Sequence, residues 1–407
     1  GGERWYDFYT DAFCLLRAMT HALVQPSAAL WSLVPAVARC FDANPDMLPD
    51  MACSLHCLIS RDPDTLEAHP ELLAILHRMV SRLLADASWD EVECTHACLL
   101  ALAPVHFCRS GACPAVGAFA ADVALLAARR LCNPSGVESR VLTVLLLDVV
   151  LAGLLRHTEQ VLAALAQQPD VLGGTLAALH NSRPLFTRAE DQLHAVLGLA
   201  ALMALPLHTL PPVVVQHAPT LLADALAFMC THQHCTYLQA RADAIDHLKE
   251  QAVMRGVPWR SLATPQLLAP DPYDNDAWQS DTDTAIIKKA GLDGDDDDDD
   301  DGVGFGARRG GDEEDEDEED EDGMARLAAE EAEMFDDDDL DDFADIDAEG
   351  LMSPFVGVDH VALFSSTMKK LAALAQTTPG LAAMLAALPP KKQRQMQHWI
   401  AQADKQR

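Results

Sequence analysis

The chain has 407 residues, 49% of them apolar, and a formal charge of −34. That length holds one large core or a stacked array and excludes a mini-domain. The acidity argues against a direct grip on nucleic acid, which needs Lys and Arg clustered against phosphate.

The opening "GGERWYDFYTDAF" has no positive flank leading into an apolar run, so no secretory signal is expected. The eleven cysteines are scattered and read as thiols in a reducing compartment. From Tyr6 onward the pattern is helix after helix. Leu30, Leu33, Val34, Val37, Cys40 and Phe41 follow i, i+3, i+4 spacing, as do Leu193, Val196, Leu197, Ala200 and Ala201. Breaks fall at "VQPSA", "ANPDM", "RDPDT", "AHPEL", "CNPSG", "QQPDV" and "SRPLF". They divide the segment into helices of about one to two dozen residues. Several turns offer Ser or Asp where a side-chain oxygen can cap a helix start. "VLTVLLLDVVLAGLL" (Val141 to Leu155) carries Asp148 and reads as a buried helix too short to span a bilayer.

Two Cys/His groups raise a metal reading. Cys94 and Cys98 lie one helical turn apart beside Leu99 and Leu102, with His96 between them, as core cysteines do. Cys230, His232, His234 and Cys235 lack the paired CxxC spacing of a structural zinc site. No metal and no cofactor is expected. Trp31 and Pro35 read as packing residues, and so does Trp399.

Hydrophobic periodicity stops near Glu250. The segment from about 252 to 357 reads as an acidic, largely disordered loop. Asp293 to Glu349 holds 31 acidic residues against three basic ones, a charge of −28, which leaves −6 of the chain's −34 for the rest. Nothing in such a run can be buried without a large desolvation cost. It is either a solvated spacer or a surface for something basic. "DDDDDDD" lacks the alternating ligands and glycine turn of an EF-hand loop. "GVGFG" reads as a hinge, and Leu340, Phe343 and Ile346 are spaced to dock into a groove.

Helical pattern returns at Asp359. Val361, Phe364, Met368, Leu371 and Ala375 mark one helix. Met396, Trp399, Ile400 and Ala403 mark another after Pro390. So small a pair is marginal alone, so residues 358–407 are expected to pack back on the array. The cations Lys391, Lys392, Arg394, Lys405 and Arg407 could meet the acidic run within one chain. No P-loop, G-x-S-x-G or H-E-x-x-H motif is present, and the chain reads as a non-enzyme.

The C-terminal segment resembles the end of importin-β superfamily receptors, in the importin-seven/importin-eight branch. The resemblance rests on Val358, Asp359, Phe364, Leu388, Gln393, Gln395, Ala403, Asp404 and Arg407. "YDFYTDAFCLLRAMTHALVQPSAALWSLVPAVARCFD", with its W-x-L-x-P, and "TRAEDQLHAVLGLAALM" are weaker matches upstream. The resemblance implies a HEAT-repeat receptor that carries basic cargo (histones, ribosomal proteins) between cytoplasm and nucleus. It also implies binding to Phe-Gly nucleoporins and release by Ran GTPase. The N-terminal repeats that carry most of the Ran contact in that family have no counterpart here, so the chain reads as the C-terminal part of a longer receptor.

The combined expectation is an all-α fold: a HEAT-like α-solenoid over residues 6–251, the acidic loop over 252–357 and C-terminal helices over 358–407. Membrane and direct nucleic-acid contacts are not expected. Cargo is expected on three acidic clusters. The first is Asp295, Asp296, Asp297, Asp298, Asp299, Asp300 and Asp301. The second is Asp312, Glu313, Glu314, Asp315, Glu316, Asp317, Glu318, Glu319, Asp320, Glu321 and Asp322. The third is Asp336, Asp337, Asp338 and Asp339. Two alternatives stay open: an acidic histone chaperone that shields basic proteins, and a non-enzymatic HEAT scaffold.

Overall fold

Proline sets where many of the helices begin. In the computed structural model, which describes residues 3–109, 113–133, 137, 139–255, 262–264, 354–355, 358–376 and 379–405, the chain is all-α, with no strand among the described residues. The helices are α1 (Glu3–Ala22), α2 (Ala28–Trp31), α3 (Val34–Ala43), α4 (Leu48–Arg61), α5 (Pro63–Ala68), α6 (Pro70–Leu84), α7 (Glu91–Phe107) and α8 (Pro114–Leu131). They continue as α9 (Arg140–Ala166), α10 (Pro169–Asn181), α11 (Ala189–Met203), α12 (Pro212–Arg255), α13 (His360–Ala375), α14 (Pro379–Ala386) and α15 (Pro390–Lys405). Helices α5, α6, α8, α10, α12, α14 and α15 all start on proline. There the fixed φ suits the first turn and the missing N–H would have had no partner anyway. Side-chain caps come from Asp62, whose carboxylate accepts from Thr65 N, from Ser139 (Leu142 N) and from Asp359 (Ala362 N).

Long-range packing follows chain order. One row runs α1, α4, α7, α9, α11, α13, each helix against the next. A second row runs α3, α6, α8, α10, α12, and it covers the first through α6–α7, α8–α9 and α11–α12 contacts. In the first row α7, α9 and α11 are buried on nearly every side. Ala97, Leu100, Leu142, Leu145, Leu146, Ala195 and Val196 are all fully inaccessible. Close approach is built in at Gly198, where a Cβ would lie 2.6 Å from the Leu151 carbonyl oxygen. Only glycine lets α9 and α11 meet at that point.

Two expectations change. The Leu30–Phe41 pattern is two helices, with Leu33 43% exposed between them. Pro35 removes a donor and crowds the carbonyl four residues back, so α2 ends and α3 begins. Helix α9 holds helical geometry to Arg156 and, past a kink at His157, resumes it as far as Ala166. By length and composition it could cross a membrane, and 78% of its apolar window is buried within the protein. His157 (φ −138°, ψ 45°) lies outside helical geometry, so the polar Arg156–His157–Thr158 marks a real break close to the end of the expected Val141–Leu155 helix. Helix α12 spans 44 residues with Pro219 inside, longer than the expected range. It is the second helix with a membrane-compatible window, 61% buried. The predicted array boundary at residue 251 falls inside it.

At the C-terminal end the predicted stripes hold. Phe364, Met368 and Leu371 are buried on α13, as are Met396, Trp399 and Ala403 on α15. Phe364 and Trp399 meet edge to face at 5.6 Å, and Lys369 pairs with Asp404 across α13 and α15. α13 lies against α11, while α14 and α15 touch α12, so the element does pack back on the preceding helices.

Candidate functional site

All the acidic residues proposed for cargo, from Asp295 through Asp339, lie outside the described residues, as do Leu340, Phe343 and Ile346. The structure does describe the flanks of that segment. The chain leaves through the end of α12 at Arg255 and comes back at Pro354 and Phe355, just before α13.

Phe355 is the first point of return. Its ring is buried against two histidines from the first row, His194 of α11 (4.9 Å, tilted) and His106 of α7 (6.2 Å, edge-on). The two imidazoles stack at 4.6 Å, and their Nε2 atoms approach to 2.9 Å. One Nε2 must donate and the other accept, so the accepting ring is neutral with its proton on Nδ1. Burial holds both below the ordinary histidine range, His194 at about 4.

Beneath them lies a buried acid pair. His194 Nδ1 is 3.4 Å from Oδ2 of Asp148 on α9. Asp148 and Asp191 of α11 come together with His194 within 4.8 Å, all fully buried. Burial pushes both carboxyls up to about 7. Arg188 forks onto Asp191, Nη2 to Oδ1 at 2.6 Å and Nε to Oδ2 at 2.9 Å. Arg188 thus meets the Asp191 carboxylate with a bidentate, charge-assisted pair.

A second anchor follows one turn later. His360, the first residue of α13, meets His232 of α12 with Nε2 atoms 3.2 Å apart and rings at 82°. Burial draws His232 down to about 4, with His360 adding to the effect. The end of the acidic segment is therefore fixed twice by aromatic and imidazole contacts, once on α7 and α11 and once on α12.

The chemistry of this seam is recognition and fastening. Asp148, Asp191, His194 and His106 are enclosed by packed helices. Asp148, Asp191 and His194 are spaced as metal ligands could be, but Arg188 already supplies their cation. Another group with ligand geometry is His21, Cys53 and Cys57.

The other residues singled out in the sequence have structural places. Trp31 is buried, and its Nε1 donates to Asp62 Oδ2 at 2.9 Å. Cys94 and Cys98 are core residues of α7, while the His96 ring turns back to the Val92 carbonyl at 2.9 Å. Cys230, His232, His234 and Cys235 are buried on α12, where His232 serves the second anchor. The residues that carry the C-terminal resemblance are largely scaffold. Asp359 caps α13, and Gln393 Nε2 donates to the carbonyls of Ala386 and Leu388, which fixes the α14–α15 turn.

His106, His194 and Phe355 were not foreseen. The one available signal was Asp148, an acid in the most apolar run of the chain, which has to find a partner once buried. Comparison with family models, with curated proteins and with solved structures found no match to this chain.

Proposed function

We propose that the two helical rows form a HEAT-type α-solenoid, and that the chain is a segment of a nuclear transport receptor that carries basic proteins. Packing that follows chain order, each helix meeting the helices near it in its own row and the adjoining one, supports the solenoid reading. The observation that carries the functional reading is the tethering of the acidic segment. A run of −28 charge over residues 293–349 lies between α12 and Phe355, whose ring is held against α7 and α11. A polyanion carried between two elements of a helical array suits Lys-rich histones and ribosomal proteins. It engages them through many weak, screenable contacts that need no fixed geometry. Ran-dependent release, Phe-Gly nucleoporin binding and shuttling between cytoplasm and nucleus belong to this proposal through the family resemblance, as does the absence of enzymatic activity.

The test uses two probes in one buffer, a linker histone and immobilised Phe-Gly repeats. A transport receptor segment binds both. Binding of histone alone makes the chain an acidic chaperone, and binding of neither makes it a scaffold; each of those results overturns the transport reading.

A further inference from the structure

The N-terminal end of the array, where α1 packs on α4, carries a second cluster. Cys53 and Cys57 are four residues apart on α4 and face α1. His21, in the last turn of α1, points its Nε2 between them, 3.6 Å from Cys53 Sγ and 3.2 Å from Cys57 Sγ. The three ligand atoms lie within 4.8 Å of one another. A zinc ion about 2.3 Å from sulfur and about 2.0–2.1 Å from imidazole nitrogen gives a tetrahedral S···N edge of roughly 3.5 Å. The two observed separations bracket that edge.

The surroundings fit as well. Both thiols are buried, at 1% and 2% exposure, while His21 is half-buried and leaves one side of the cluster toward solvent. Arg61 holds the ligand's backbone in place. Its Nη1 donates to the carbonyls of Thr20 (2.7 Å) and His21 (2.8 Å), and also to that of Leu23. The neighbouring Cys57 thiol, and then burial, push the Cys53 thiol far above its ordinary range, while His21 and Arg17 pull the other way. Two adjacent buried thiols are a poor pair for holding charge without a cation, and a metal removes that obstacle by taking both as thiolates. A disulfide is not the alternative. Side chains at i and i+4 of a helix have Cβ atoms about 5–6 Å apart, against about 3.5–4.5 Å in a disulfide.

We propose that His21, Cys53 and Cys57 bind one zinc ion, with the fourth position open on the half-exposed side of His21. Binding releases two thiol protons, and the charge of two thiolates cancels that of Zn²⁺. The ion ties α1 to α4 across the first packing step of the array.

The probe is the whole chain, metal-stripped and kept reduced, titrated with Zn²⁺ and with Co²⁺ as a spectroscopic substitute. One tight equivalent should bind, with the visible bands of tetrahedral cobalt and sulfur-to-metal charge transfer. Replacing both thiols (C53A/C57A) should abolish that equivalent. His21→Gln keeps the thiols and alters only a half-buried position, so it tests the site without a core change. It should weaken binding by about 100-fold or more, since even outer-shell partners of metal ligands are worth 10–100-fold. C94A/C98A is the control, a core pair with the same spacing on α7 and no third ligand group around it among the described residues; it should bind zinc as the parent does. Absence of a tight equivalent, its survival in C53A/C57A, an unchanged affinity in His21→Gln, or equal loss in C94A/C98A would each overturn the site.

Discussion

The middle of the array and the C-terminal element are held by different means. Helices α7, α9 and α11 bury residues on nearly every side, with Leu142, Leu145 and Leu146 all at 0% exposure. Helix α13 buries one stripe, Phe364, Met368 and Leu371, and leaves Leu363 44% and Leu374 45% exposed on the other. The nameable contacts that fasten it to the array are Phe355 on the His106–His194 pair and His360 on His232, while Phe364 on Trp399 and Lys369 on Asp404 tie α13 to α15. Stability in the middle is a property of many neighbours, whereas docking of the element is local. The difference matters because the acidic segment ends on that element, so its tether is separable from the body that carries it.

Phe364→Ala should have the largest effect, about 3–5 kcal/mol as for other buried aromatics, and it should stay local. Hydrogen exchange should speed up across α13 and α15 while α9 keeps its protection. Equal loss in α9 would mean that the two regions unfold as one unit. Leu146→Ala should cost about 2–5 kcal/mol and act globally. Its calorimetric transition should move as a whole, with α7, α9 and α11 losing protection together.

Titration should separate His232 from the Asp148–Asp191 pair by sign. The folded pKa of His232 is lowered from 6.5 to about 4. Its contribution is therefore present above 6.5 and lost as pH falls toward 4, by up to about 3 kcal/mol for a shift of that size. The Asp148–Asp191 pair has folded values raised from 3.8 to about 7. Its contribution is intact near pH 3.8 and lost as pH rises through 7. His232→Asn should flatten the acid side of the stability curve for α13, followed by exchange corrected for intrinsic rates. Asp148→Asn should reduce the loss of array stability between pH 5 and 8, followed by denaturant unfolding. The opposite pattern would mean that the two clusters are not buried as described. Lys369→Ala should be the smallest, within about 1 kcal/mol, because both partners are partly solvated and such pairs are weak. Added salt should remove even that.

Legibility in the sequence followed the same division. Stripes such as Phe364–Met368–Leu371 and helix starts at Pro63, Pro70 and Pro169 could be read directly, because periodicity and proline chemistry are local. The break between Trp31 and Val34 was hidden because the apolar spacing runs straight through it, and only the steric demand of Pro35 cuts it. The end of the apolar run near Leu155 was legible, because the backbone leaves helical geometry at His157, inside the polar Arg156–His157–Thr158 triplet. The seam was the least visible part. His106 and His194 are 88 residues apart, and no spacing rule joins them to Phe355. Asp148 announced that a partner was needed without naming Asp191 or Arg188. The zinc ligands were missed for the same reason, since Cys53 and Cys57 become a site only when α1 delivers His21 to them.

The central claim is that the acidic segment, carried by the helical body, binds basic proteins. The direct measurement is the affinity of a linker histone for the whole chain and for a deletion of residues 293–349, titrated against NaCl. The whole chain should bind tightly at low salt and weaken steeply as the screening length falls to about 10 Å at 0.1 M, while the deletion should bind weakly and almost independently of salt. Equal affinities for the two at every salt concentration would contradict the account.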